Sequence, residues 1–209
     1  MANLKYERKL YKEGINLIAG VDEAGRGPLV GPVVAACVIL PKGLTIKGLN
    51  DSKKLTAKKR EEYYQIINKK ALGIGISVVS AKKIDEINIY QASILAMKEA
   101  IAKCSIKPEH VLIDAMKLDI DIPSTSIIHG DEISLSIAAA SIIAKVKRDS
   151  IMMEMDKLHP EYGFKNHKGY ATKKHLENIR RYGVNKEYRF TFKPICDLIE
   201  KDLNIKEKV

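Results

Sequence analysis

The chain has 209 residues, enough for one domain with a full core or one domain plus a small appendage. Apolar residues make up 45% and charged residues 30%, the balance of a folded globular protein and not of a disordered one. The formal net charge is +10, from 36 basic and 26 acidic residues, which favours a polyanionic partner; a soluble protein with a Lys-rich surface is the plain alternative.

Cys37, Cys104 and Cys196 are few, odd in number and far apart. Without a C-x-x-C they exclude a zinc ribbon, and reduced thiols in a cytoplasmic protein are the simplest reading. Met1 to Gly14 mixes basic, acidic and apolar residues and is no secretory signal. The apolar runs Val33–Leu40 and Ile137–Ala144 fall far short of the roughly 20 residues that span a bilayer, so no membrane anchor is expected.

Ile15–Val21 is apolar and reads as a strand that ends in the glycine-rich turn Asp22-Glu23-Ala24-Gly25-Arg26-Gly27-Pro28. Val30–Leu40 reads as a strand covered on both faces, stopped by Pro41 and Gly43. Asp51–Ala71 is helical by composition, with Ser52 or Thr56 as N-cap. Gly73–Ser80 is a third strand, and Ser80 caps a helix to about Lys103 with a break near Asn88. Val111–Asp114 is a short buried strand ending in an acid, and Ile127-Ile128 is another, ending at Gly130-Asp131.

Ile133–Leu158 is the longest helical pattern, and Ala138-Ala139-Ala140 would let it lie close against a sheet. Thr172 caps a helix that Gly183 ends, and Pro194 opens a last helix. The order implies a mixed α/β sheet with helices on its faces. Residues 15–158 form the expected core, and residues 159–209 a helical extension.

Between Lys165 and Lys193 lie nine basic residues, Arg189 among them, against two acids, together with Tyr170, Tyr182 and Tyr188. Cations grip phosphates and rings stack on bases or sugars, so this segment suits nucleic acid; the bland reading is a solvated helix face anchored by tyrosines.

Asp22, Glu23, Asp114 and Asp131 follow apolar β-like runs, where ligands sit in open α/β sheets. Carboxylates suit Mg²⁺ and Mn²⁺, and two such ions can serve both the attacking and the leaving oxygen of a phosphodiester. Acids also follow strands as simple turn formers. Neighbours in a regular strand face opposite ways, so Asp22 and Glu23 enter one site only if the strand ends or kinks there.

Gly20-Val21-Asp22-Glu23-Ala24-Gly25-Arg26-Gly27-Pro28-Leu29-Val30-Gly31-Pro32-Val33-Val34-Ala35 resembles the opening motif of the ribonuclease HII family. Further matches follow in order: Asn50 to Leu55, Ile113 to Ala115, Gly130-Asp131, Ser134 to Lys145, and Lys168 to His175. The resemblance spans about Ile18 to Arg189. It implies a ribonuclease H-like mixed five-stranded sheet flanked by helices, with a helical C-terminal extension that binds substrate. It implies an endonuclease that cuts RNA paired with DNA, and cuts 5′ to single ribonucleotides embedded in duplex DNA, leaving 5′-phosphate and 3′-hydroxyl ends.

It also carries over Asp22, Glu23, Asp114 and Asp131 as catalytic acids holding two Mn²⁺ or Mg²⁺ ions. Gly25, Arg26 and Gly27 would sense the ribose 2′-hydroxyl through backbone groups, with Tyr170 packed against the sugar. Ser52 and Lys53 would hold a nearby phosphate. His129 stands where the family would place a Lys, which weakens local attraction for phosphate. His175 reads as a helix histidine with its hydrogen bonds satisfied, and not as a proton shuttle. No sliding-clamp motif is visible, and a monomer without an obligate protein partner is expected. A non-catalytic binder with the same fold, and a metalloenzyme acting on small nucleotides, are the competing readings.

Overall fold

A computed structural model describes residues 2–206, with side-chain surroundings given up to residue 200; the last three residues of the expected extension lie outside the described residues. Helix α1 (Lys5–Lys12) precedes β1 (Ile18–Ala24) and β2 (Val33–Ile39). A 3₁₀ turn (Ser52–Lys54) leads to α2 (Ala57–Lys70), β3 (Gly73–Val79), α3 (Ala81–Ala102), β4 (His110–Asp114) and β5 (Ser124–Ile127). The short α4 (Gly130–Ile133) and the long α5 (Leu135–Leu158) follow. A 3₁₀ turn at Pro160–Tyr162, α6 (Phe164–His167), α7 (Lys173–Tyr182) and α8 (Ile195–Lys206) complete the chain.

The strands form one five-stranded sheet in the order β3-β2-β1-β4-β5. β1 pairs antiparallel with β2 and parallel with β4, so strand direction changes across the sheet at β1. Side chains alternate between the two faces. Val21, Ala35, Cys37 and Ile113 pack with α3 residues such as Ala96 and Ala100. Ala36 and Val38 pack on the other face with Ala138, Ala139 and Ala140 of α5. The small residues make the close approach possible: a Cβ on Gly20 would overlap the main chain of Ser136.

Thr56, Ser80 and Thr172 accept hydrogen bonds from the main chain three residues on, each capping the helix that follows. Such a cap contributes about 1 kcal/mol. Asn88 interrupts α3 with φ 66°, and its side chain accepts from Gln91 N to restart the helix.

Four elements differ from the sequence reading. β1 continues to Ala24, because Glu23 and Ala24 stay paired with Ala35 and Val34. β2 begins only at Val33, after Gly31 takes φ +81°. β5 starts at Ser124; it is an edge strand with a polar, exposed sequence, invisible to a search for apolar runs. Helix α1 was not expected at all. Its Glu7 is fully buried and accepts from Ser134 Oγ at 2.6 Å and Ser136 N at 3.0 Å, so it caps α5 from a distance.

After α5 the chain folds back onto it. Leu29 and Val30 pack with Met152, Met155, Tyr162, Phe164, Ile179, Tyr188 and Ile195. This cluster fastens residues 160–195 beside the turn that follows β1. Among the described residues no helix is long and apolar enough to cross a membrane.

Candidate active site

Parallel pairing sets Val21 opposite Ile113, so the next residues, Asp22 and Asp114, stand side by side. Asp22 shares its face with Gly20, and Gly20 faces α5. Asp131 arrives from beyond β5, at the first turn of α4. One carboxylate oxygen from each of Asp22, Asp114 and Asp131 lies within 4.8 Å of the other two. Asp22 and Asp131 are buried and Asp114 is partly so.

The backbone fixes this arrangement. Ala115, after Asp114, has φ 49°, and His129, before Gly130-Asp131, has φ 55°. Left-handed backbone in residues other than glycine is costly and persists where surrounding structure enforces it. Here Gly130 N donates to Asp114 Oδ1 at 2.7 Å, and Glu23 N donates to Asp22 Oδ1 at 2.7 Å.

Crowded acids out of water resist ionisation. Burial, Glu23 and Asp114 together push Asp22 well above the usual carboxylate range, while the Ser141 hydroxyl tempers the rise. Burial raises Asp114, and main-chain donors at Gly130 and Asp131 pull it back. Asp131 is pushed up to about 6 by burial, by Asp114 and by Asp51, with which it shares a hydrogen bond. Asp51 is itself buried and caps the Ser52–Lys54 turn. It is a fifth acid at this site, and its signal in the sequence is its place in the Asn50–Leu55 motif.

Glu23 is not one of the three clustered carboxylates. β1 stays paired through Glu23 and ends one residue later, at Ala24. Glu23 still flanks the cluster: burial raises it, Arg26 lowers it, and Asp114 raises it. Its Oε1 lies 3.5 Å from Arg26 Nη1, and its Oε2 is buried without a partner.

Lys53 is exposed above the acids; burial lowers it, and Asp51, Asp22, Asp131 and Asp114 raise it further than burial lowers it. Ser52 is buried, with its hydroxyl oxygen 2.9 Å from Ser141 Oγ. Gly25 takes φ +101°, which suits glycine alone. Tyr170 is 46% exposed, and its ring lies 3.5 Å from where a Cβ on Gly27 would stand. The tyrosine is therefore not a core residue; it forms one wall beside the Gly25–Gly27 loop. His175 is buried, with Nδ1 2.8 Å from the Tyr170 carbonyl and Nε2 3.0 Å from the Tyr188 hydroxyl.

The basic segment is mostly a surface, as Lys173, Lys174, Arg180, Arg181 and Lys186 are exposed. Arg189 is the correction, because it is fully buried and no phosphate reaches it. Arg148 is buried as well. Its sequence signal is a cation at helical spacing between Ala144 and Met152, on the stripe α5 buries.

The family profile for Ribonuclease HII matches residues 19–195. The chain is 59% identical over 199 residues to Ribonuclease HII of Bacillus cytotoxicus, covering 95% of this chain and 77% of that one. It is 58% identical over 197 residues to Ribonuclease HII of Bacillus thuringiensis, covering 94% and 77%. Among solved structures, the ribonuclease H2 of Pyrococcus horikoshii superposes with a TM-score of 0.71 at 26% identity, covering 88% of this chain and 97% of that one. The five-stranded sheet, the acidic cluster and the match over most of the chain agree, and the chain belongs to the ribonuclease HII family.

Proposed function

We propose that Asp22, Glu23, Asp114 and Asp131 are the metal-binding and catalytic acids of this enzyme, that Gly25, Arg26, Gly27 and Tyr170 read the sugar, and that Lys53, with Ser52 behind it, holds a neighbouring phosphate. The chain is an endoribonuclease acting on RNA paired with DNA and on ribonucleotides embedded in a DNA duplex. The carrying observation is the convergence of Asp22, Asp114 and Asp131 within 4.8 Å.

The donor set fits Mg²⁺ or Mn²⁺. It consists of hard oxygen ligands, held by the backbone and raised in pKa by burial and by one another, a strain that a multivalent cation relieves. The unpartnered Oε2 of Glu23 beside them is a further available oxygen. Two such ions, when bound, supply activation of water and neutralisation of the charge on phosphate and leaving oxygen.

The chain's own groups do the rest. Asp22 and Asp114 are held by main-chain donors, so the site is preorganised. Lys53 offers a cation to a phosphate that the acids alone would repel. The Gly25–Gly27 turn lets backbone approach a sugar without a β-carbon in the way. Reading the 2′-hydroxyl there separates ribose from deoxyribose at one position. Tyr170 supplies an exposed ring beside it, and the basic face of α7 extends the grip along the backbone. Residues 159–209 thus serve as the substrate-binding extension of a core at residues 15–158. Water adds to phosphorus and the bond to the 3′-oxygen breaks, leaving a 3′-hydroxyl and a 5′-phosphate.

All of these groups come from one chain, so a monomer suffices. Free thiols at Cys37, Cys104 and Cys196 suit a reducing cytoplasm. The test is a comparison of three duplexes of one sequence in Mg²⁺ or Mn²⁺. An RNA–DNA hybrid should be cut in its RNA strand and the all-DNA duplex left whole, with all-RNA far slower than the hybrid. Equal cutting of all three would overturn the reading.

A further inference from the structure

Two guanidinium groups are fully buried behind the sugar-reading loop, and none of their hydrogen-bond acceptors is a carboxylate. Arg189 donates from Nε to Gly31 O at 3.0 Å, from Nη1 to Arg26 O at 2.9 Å, and from Nη2 to Gly25 O at 2.6 Å. Arg148 donates from Nε to Pro32 O at 3.1 Å, from Nη1 to Lys168 O at 3.0 Å, and from Nη2 to Val30 O at 3.3 Å. Burying a charge is expensive unless it is hydrogen-bonded. Here each of the six guanidinium nitrogens has a main-chain acceptor, in residues 25–32 or at Lys168, which leads to Tyr170.

The consequence is directional. In a trans peptide the carbonyl and the next N–H point opposite ways. Arg189 draws the carbonyls of Gly25 and Arg26 into the interior, so the N–H groups of Arg26 and Gly27 turn outward, to the side where Tyr170 lies open. Neither N–H has a hydrogen-bond acceptor among the described residues. The stem of Arg148 lies flat against Gly25, where a Cβ would overlap its Nε and Cδ. Leu29 N also donates to Gly169 O at 2.9 Å, which ties the loop to the tyrosine segment.

We infer that Arg189 and Arg148 are positioning residues for ribose recognition: Arg189 aims the Arg26 and Gly27 N–H groups at the sugar, and Arg148 holds that loop in register with Tyr170. The inference rests on the assignment of Gly25–Gly27 as the sugar-reading loop. A lysine cannot replace either residue, because one ammonium cannot reach three carbonyls in the plane that a guanidinium fork spans.

The experiment compares Arg189→Lys, Arg189→Met and Arg148→Lys with the unaltered enzyme. Thermal unfolding reports folding, and Arg189→Lys and Arg148→Lys keep the buried charge should Arg189→Met fail to fold. Affinity in Ca²⁺ is measured for a DNA duplex with one ribonucleotide and for the all-DNA duplex of the same sequence. The expected result is a fall of about tenfold or more in the ratio of the two affinities, since loss of donors to a hydroxyl removes discrimination. The all-DNA affinity should hold, and the loss in cleavage should fall on kcat/KM for the ribonucleotide duplex. Folded variants that keep the unaltered ratio would overturn the inference. An unaltered enzyme that shows no preference for the ribonucleotide duplex would overturn the loop assignment beneath it.

Discussion

The main-chain N–H of Gly130 donates to Oδ1 of Asp114 at 2.7 Å, joining the end of β4 to the start of α4. Two of the three clustered carboxylates, Asp114 and Asp131, are thereby set by one hydrogen bond between strand end and helix start. Asp22 is set independently, by the parallel register of β1 and β4. The site thus forms at the carboxyl ends of the parallel neighbours β1 and β4, where the strand order switches from β3-β2-β1 to β4-β5, the place where open α/β sheets bind ligands.

Asp22→Asn removes one of three converging acids and keeps its shape. Cleavage should fall by about 10³-fold or more, the scale for losing a group that stabilises transition-state charge. Because burial and neighbouring acids already oppose ionisation of Asp22, the variant should be at least as stable as the native chain. It should bind an RNA–DNA hybrid as well or better. Cleavage near the native rate would remove Asp22 from the catalytic set.

Gly25 and Gly27 should respond differently to alanine. At Gly25 the backbone has φ +101°, and a Cβ would overlap Arg148 and come within 2.8 Å of the Pro32 carbonyl oxygen. Gly25→Ala should therefore lower stability by about 1–3 kcal/mol. At Gly27 a Cβ meets only the Tyr170 ring, at 3.5 Å. Gly27→Ala should fold normally and lose activity on ribonucleotide substrates. Urea unfolding and a cleavage assay on both variants check this, and equal melting of the two would contradict it.

Tyr170 is 46% exposed, so Tyr170→Ala should change stability by no more than about 0.5 kcal/mol. Its selectivity for a single embedded ribonucleotide over an extended hybrid should drop. Unchanged preference, measured as a ratio of kcat/KM values, would count against a role at the sugar.

His175 gives a pH signature. Burial lowers it from its ordinary 6.5 to about 4, with the Tyr170 carbonyl opposing and His167 assisting. It faces the Tyr188 hydroxyl, the Tyr170 carbonyl and the stacked His167 ring at 4.1 Å. The unfolded imidazole takes up a proton near 6.5 and the folded one only near 4, so protonation favours the unfolded chain. Stability should fall as pH drops through that window. The raised carboxyls of Asp22 and Asp131 act in the opposite sense, so the difference between native and His175→Gln is the useful quantity. Urea unfolding at several pH values should show a shallower decline for His175→Gln, and parallel profiles would contradict the account.

Much of this molecule was legible because its signals are local. Thr56, Ser80 and Thr172 announce helix starts, Asn88 announces a break, and the alanines of α5 announce a close contact with the sheet. Asp22, Asp114 and Asp131 were visible as acids after apolar runs. What stayed hidden depends on partners far along the chain. Glu7 looks like a surface acid until Ser134 and Ser136 surround it. Arg189 looks like one more surface cation, yet its acceptors, Gly25, Arg26 and Gly31, lie about 160 residues earlier.

The most direct test of the central claim is cleavage of a DNA duplex carrying one ribonucleotide, with Mg²⁺ or Mn²⁺ and with EDTA, followed by mapping of the product ends. The account predicts metal-dependent cutting on the 5′ side of the ribonucleotide, a 3′-hydroxyl and a 5′-phosphate at the break, and no cutting in EDTA. Cutting that persists in EDTA, or binding without cutting in either metal, would contradict it.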